Sequence, residues 1–171
     1  MTEGGVNWKL KVIGILLFPI FLLIGGLWLV IYFPFVKLYG IWLKYRFWQR
    51  HGKFGKFILF VYSDSPNWKE YIEDSMLPRI EKHTVLLNWS RRKEWYRTHP
   101  FEARVFNHWA GKREFNPMAI LLSPGHRVKQ IRFWKAFKDF KRGKEGPLRE
   151  VEDSFFDEVE KICRDRGLKI A

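Results

Sequence analysis

From Val12 to Val36 the chain runs for 25 residues without a single charge. As a helix that run rises about 37 Å, more than the hydrocarbon core of a bilayer at about 30 Å. Lipid offers no partner to a backbone amide, so such a segment must bond to itself, and an uninterrupted helix does this. A cleavable signal would have a shorter apolar core followed by small residues, whereas this run ends in the bulky Tyr32-Phe33-Pro34-Phe35-Val36. Gly25-Gly26, bracketed by Pro19 and Pro34, admits a re-entrant hairpin. Gly and Pro are nevertheless common in spanning helices. The expectation is one spanning helix at 12–36, preceded by a short tail at 1–11.

Charge sets its direction. Lys9 and Lys11 precede the run; Lys37, Lys44, Arg46, Arg50, Lys53 and Lys56 follow it. The cytoplasmic side normally holds the excess of cations, so the remainder of the chain is expected in the cytoplasm with Met1 outside. Net charge is +13, of which residues 1–56 carry +7 and residues 57–171 carry +6. With half the excess at the membrane junction, nucleic acid is not an expected partner.

The stretch 37–56, KLYGIWLKYRFWQRHGKFGK, reads as a basic, aromatic juxtamembrane segment. At helical spacing Leu38, Ile41, Trp42, Tyr45 and Trp48 share one face, with Arg46 and Arg50 on its flank. Indole and phenol rings suit the headgroup layer. Trp42, Tyr45, Arg46, Trp48, Arg50, Lys53 and Lys56 are therefore the candidate contacts to anionic lipid, each cation near the surface contributing about 1 kcal/mol. The bland alternative is a continued anchor with stop-transfer charges. Gly52 and Gly55 suggest a short flexible hinge before the soluble domain.

Residues 57–171 are enough for one domain with one core. Lys56–Tyr62 is an apolar strand, hence central. Ser65 offers an N-cap and Pro66 a first helical position, for a helix to about Leu77 that Pro78 interrupts. Thr84–Trp89 reads as a second strand. The charged, aromatic stretch from Ser90 to Glu114 suggests a helix near Phe101–Trp109. Met118–Leu122 and Arg127–Phe133 look like strands paired across Ser123-Pro124-Gly125-His126. Lys135–Gly146 reads as basic and irregular. A closing amphipathic helix has Leu148, Val151, Phe155, Val159 and Ile162 on one face and Gly167 past its end.

This order, β-α-β-(α)-β-β-α, with Asn116-Pro117 directly before the third strand, resembles the thioredoxin-like superfamily from about Lys56 to Arg166. The resemblance implies an α/β sandwich in which Pro117 holds the place of the family's cis-proline, facing the start of the first helix. It does not bring the family's chemistry. A C-x-x-C pair belongs at that helix start, where the dipole and the partner thiol lower the attacking thiol's pKa. Here the stretch is Ser65-Pro66-Asn67-Trp68, and a hydroxyl cannot enter thiol–disulfide exchange. The family's later proline in that helix is also unmatched, since Pro78 lies too far along. Cys163, the chain's one cysteine, reads as a small buried hydrophobe of the last helix.

No other chemistry stands out. The five histidines lack metal-ligand spacing, although His99, His108 and Glu102 are close enough in sequence to converge. Ser65 has no nucleophile elbow around it, and no phosphate-binding glycine loop occurs. Neither metal nor cofactor is expected. Lys135, Lys138, Lys141, Arg142 and Lys144, interleaved with Phe137 and Phe140, form a basic patch suited to lipid, RNA or an acidic protein, or to a solvated loop with two buried rings. Arg91-Arg92-Lys93 before Trp95 and Tyr96 has a similar character. The expected function is a membrane-anchored, redox-inactive thioredoxin-like module that binds or scaffolds an unidentified protein at the cytoplasmic membrane surface. The alternative is an enzyme, or a glutathione- or anion-binding protein, using Ser65, Pro66, Asn67, Trp68, Asn116 and Pro117 as a groove without dithiol chemistry.

Overall fold

The computed structural model describes residues 4–111 and 116–168. It divides into two compact units, Met1–Trp42 and Leu43–Ala171. The first is made by helix α1, which begins at Gly4 and continues into the second unit as far as His51. It passes through Pro19, Gly25-Gly26 and Pro34 without interruption, so the re-entrant hairpin is set aside. Every described side chain from Val12 to Phe35 is exposed, Leu23 and Phe21 among the most, at 73% and 70%. Among the described residues α1 is the one helix long and apolar enough to cross a membrane.

In the second unit a four-stranded mixed sheet has the order β2-β1-β3-β4, with β1 Ile58–Tyr62, β2 Thr84–Asn88, β3 Met118–Leu121 and β4 Lys129–Arg132. β1 runs parallel to β2, with Ile58 opposite Thr84, and antiparallel to β3, with Val61 opposite Met118. β3 and β4 are antiparallel, joined through the turn foreseen at Ser123–His126, where Gly125 has φ 78° and the His126 amide donates to the Ser123 carbonyl. Pro at the second position and Gly at the third are what a type II turn requires.

β1 is buried on both faces because it is central, and its residues divide by the period of two. Ile58, Phe60 and Tyr62 join Ala119 and Leu121 under helices α2 (Lys69–Tyr71), α3 (Leu77–Ile80), α6 (Trp134–Phe140) and α7 (Gly146–Arg166). Leu59 and Val61 join Met118 and Ile120 against the end of α1, through Leu43 and Phe47, and α5 (Phe101–Ala110). The result is an α/β sandwich of three layers. α7 buries Leu148, Phe155, Val159 and Ile162, leaves Val151 half-buried, and ends at Gly167 (φ 62°) with the two backbone bonds of a Schellman motif.

Several local expectations need correcting. The helix after β1 does not stop at Leu77: a π-helical turn, Ile72–Met76, widens it, and α3 then continues through Pro78 to Ile80. Proline lacks the amide an α-helix needs and crowds the preceding turn, so a wider turn just before it relieves both problems. Lys135–Gly146 is not irregular over its length. Phe133, Ala136 and Phe137 are buried, and with Phe140 they stand at i, i+3, i+4 and i+7, so α6 forms to bury them. The dense cations obscured that stripe. A further helix, α4 (Arg92–Thr98), lies in the stretch expected only to be helical later on. Residues Gly52–Phe54 form a turn of 3-10 helix, with Gly55 at φ 72° and Lys56 N donating to His51 O, and not a loose hinge. A methyl group on Gly52 would overlap the indole of Trp48, so glycine is needed there for close approach.

Candidate functional site

The carboxyl ends of β1 and β2, the start of β3 and the end of β4 share one end of the sheet. In open α/β sheets ligands gather beyond the strand carboxyl ends. The register places Pro117 one step beyond the Val61–Met118 pair, opposite Tyr62, at the same end as the turn that carries Ser65 to Trp68. The Asn116–Pro117 peptide is cis, and the Pro117 carbonyl accepts from the Phe133 amide at 3.0 Å. The Asn116 side-chain oxygen is buried with no hydrogen-bond partner among the described residues.

Ser65 does not cap the helix, whose N-cap is Trp68, but closes a turn before it: its side-chain oxygen accepts from the Asn67 amide at 3.4 Å, and its carbonyl accepts from the amides of Trp68 and Lys69. Regular α-helix begins only at Lys69. With those three amides engaged, the turn presents few free donors to an anion. Beside it, Asp64 accepts from Asn88 (3.0 Å), pairs with Lys69 (3.4 Å), and its backbone amide donates to the Ser90 hydroxyl at 2.9 Å. The hydrogen bond from Asn88, with Lys69 second among the helpful contacts, holds its carboxyl below the usual range.

The turn and the basic patch meet, through residues as far apart in sequence as Asn67 and Lys141, 74 positions. The Trp68 ring lies 6.2 Å from Phe137 and donates to the Ser63 hydroxyl at 3.3 Å, while the Lys141 ammonium donates to the Asn67 side-chain oxygen. Tyr71 packs on both Phe137 and Phe140, at 5.5 and 5.8 Å. Phe137 is buried and Phe140 remains partly exposed. Lys135, Lys138, Lys141, Arg142 and Lys144 are all exposed, with the Lys138 ammonium over the Trp134 ring at 4.9 Å. A cationic helix and an aromatic turn thus form one continuous surface.

The surface contains no activated nucleophile among the described residues. Burial, reinforced by a 3.0 Å hydrogen bond to Glu73, pushes the Tyr62 phenol up to about 12; burial and Glu152 do the same to Tyr71. Both phenols stay protonated at neutral pH. Cys163 is buried on α7, and that burial raises its thiol further from reactivity.

The juxtamembrane residues divide. Trp42, Tyr45, Arg46, Arg50 and Lys53 are exposed, and Lys56 is half-buried. Trp48 does not join an exposed stripe as expected: it packs against the core, with the Arg166 guanidinium 3.8 Å above its ring. The face that the domain buries is that of Leu43 and Phe47, while Leu38, Ile41, Trp42 and Tyr45 of the expected stripe stay exposed.

The histidines do not converge either. Glu102 pairs with His51 at 2.8 Å and has Arg50 at 3.9 Å, rather than meeting His99 and His108. His126 pairs with Asp165 at 2.9 Å, and buried His83 meets the Gly55 carbonyl at 2.9 Å. His108 stacks edge-on against Trp109, and burial lowers its pKa. Among the described residues no group of three or more His, Cys, Asp or Glu could hold a metal ion.

No protein-family model matches the chain, and neither the curated proteins nor the solved structures yield a significant match.

Proposed function

We propose that this chain is a single-pass membrane protein whose C-terminal domain, thioredoxin-like in plan but without dithiol chemistry, faces the cytoplasm and serves as a binding module for an acidic protein partner. The observation that carries the binding surface is the contact of α6 with the Ser65–Trp68 turn, which joins five exposed cations to aromatic rings. The element order β-α-β-α-β-β-α and a mixed sheet with β1 at its centre support the thioredoxin-like plan. Proximity to the bilayer follows from chain length. The domain core begins at Leu43, seven residues past Val36, and seven residues reach at most about 25 Å. Exposed Trp42, Tyr45, Arg46, Arg50 and Lys53 suit the anionic headgroup layer. Placement in the cytoplasm rests on the excess of Lys and Arg after the run.

Proximity labelling in native membranes, with the label fused after Ala171, tests this reading. One dominant protein neighbour is expected, lost when Lys135, Lys138, Lys141, Arg142 and Lys144 are changed to Gln. A diffuse set of membrane neighbours, unchanged by those substitutions, would overturn it. Digestion of the domain in intact cells by an impermeant protease would instead reverse the orientation.

A further inference from the structure

A concave site lies on the other face of the sheet, where the end of β2 passes into α4 and α5. A cleft of about 310 Å³ opens there, walled by Trp89 and Trp95 and rimmed by Arg92, His99, Arg104 and Asn107. Its volume is at the small end of those that hold organic ligands. The two indoles meet edge to face, with ring centres 5.5 Å apart, and each also packs on buried Phe106, at 5.5 and 6.0 Å. The aromatic wall is therefore fixed before any ligand arrives.

The rim has one sign. Arg92 lies 5.3 Å from the Trp89 ring and Arg104 lies 5.5 Å from Phe101; both are exposed, and neither forms an ion pair among the described residues. Among the described residues no carboxylate lines the cleft. Glu102, the acid nearest in sequence to Arg104, is held by His51 and Arg50. The corner between α4 and α5 is shaped by His99, which takes the left-handed conformation (φ 42°) that stops α4, and by Pro100, which starts α5. A non-glycine residue in that conformation is uncommon, and here it turns the chain at the mouth of the cleft.

We infer that this cleft binds a small organic anion, a phosphate or carboxylate joined to an apolar or planar body. Two guanidiniums at the rim suit the anionic group, since their forked donors match phosphate and carboxylate oxygens. The indole walls suit a planar ring or a short alkyl chain. Such a ligand could come from a soluble nucleotide or from a lipid, and the chemistry at the rim is the same.

The test uses the full chain in phosphatidylcholine nanodiscs, titrated calorimetrically with adenosine monophosphate, hexyl phosphate and inorganic phosphate. At least one of the two organic phosphates is expected to bind ten-fold or more tighter than inorganic phosphate. Arg92→Gln with Arg104→Gln should weaken that binding at least ten-fold, whereas Arg149→Gln with Lys161→Gln, both exposed on α7, should leave it unchanged. Binding of the nucleotide alone identifies a stacked base as the body; binding of hexyl phosphate alone identifies an alkyl chain. Equal affinity for all three, no binding at millimolar concentration, or binding indifferent to the arginine changes would each overturn the proposal. Because both arginines are exposed, folding of their variants is not at issue, and the far-ultraviolet spectrum checks it.

Discussion

The two parts of α1 invite comparison. Between Val12 and Phe35 it is apolar on every side and every described side chain is exposed; in its last turns it is cationic and aromatic, yet Leu43 and Phe47 are fully buried. A helix apolar all round needs an apolar medium, while one with a single apolar stripe needs one partner. The same contrast holds for glycine. Gly25 and Gly26 have nothing near the place a side chain would occupy, whereas at Gly52 the Trp48 ring fills it. Apolar content alone does not say what a helix packs against; the distribution around its circumference does.

The largest way to break the comparison is to charge the first part. Leu23→Arg with Leu27→Arg opposes insertion by about 2.5–3.5 kcal/mol per residue at mid-membrane. The variant should leave the membrane pellet in alkaline carbonate extraction, and full retention would remove the spanning reading. Next comes the second part. Phe47→Ala deletes a fully buried ring and should destabilise the domain by about 3–5 kcal/mol in urea unfolding of the detergent-solubilised chain. Phe21→Ala, at a position 70% exposed, should leave the domain transition where it was. Equal effects from the two would mean that the last turns of α1 are not part of the core. A smaller effect is expected from Gly52→Ala, about 1–3 kcal/mol through displacement of Trp48, against none for Gly25→Ala.

The smallest test concerns a charge inside the domain, where burial acts on a polar group as lipid would. Burial raises the Glu152 carboxyl above its usual range, and one of its oxygens has no hydrogen-bond partner among the described residues. The folded state therefore keeps that proton to higher pH than the unfolded chain does. The favourable contribution is present below the ordinary glutamate value, about 4.3, and is lost as pH rises through the folded value. Glu152→Gln preserves an acceptor for the Tyr71 hydroxyl, so Tm at pH 7.5 should rise by about 2 °C and its difference from pH 5 should shrink. A lower Tm at pH 7.5 would show that the ionised carboxylate is stabilising, through Arg79 and Tyr71.

Much of this was legible in the residues. The uncharged run names its helix because 25 successive residues leave no other way to satisfy the backbone away from water. Lys56–Tyr62 names a central strand because a strand apolar on both faces must be covered twice, and β1 is. Pro124-Gly125 names its turn, and Leu148 to Ile162, followed by Gly167, names α7 and its end. All of these depend on local steric and periodic rules that act within a few residues. Where two such rules competed, reading was harder. At α6 the apolar stripe of Phe133, Ala136, Phe137 and Phe140 was present but crowded by cations, and at Pro78 the helix persisted because a wider turn absorbed the proline.

What only the tertiary structure decided is which distant residues meet. That Lys141 reaches Asn67, that Glu102 turns to His51 rather than to His99, and that Trp89 and Trp95 close a cleft with Arg92 and Arg104 depends on strand order and helix crossing. Of the stripe expected in 37–56, Leu38, Ile41, Trp42 and Tyr45 are exposed, and Trp48 is drawn onto the core for the same reason. Leu43 and Phe47 are no more apolar than Ile41 and Trp42, and only the sheet surface beneath them, lined by Leu59, Val61 and Ile120, selects which pair is covered. Local backbone rules act on neighbours in the chain. Burial depends on neighbours in space, and those are settled by the packing of the whole domain at once.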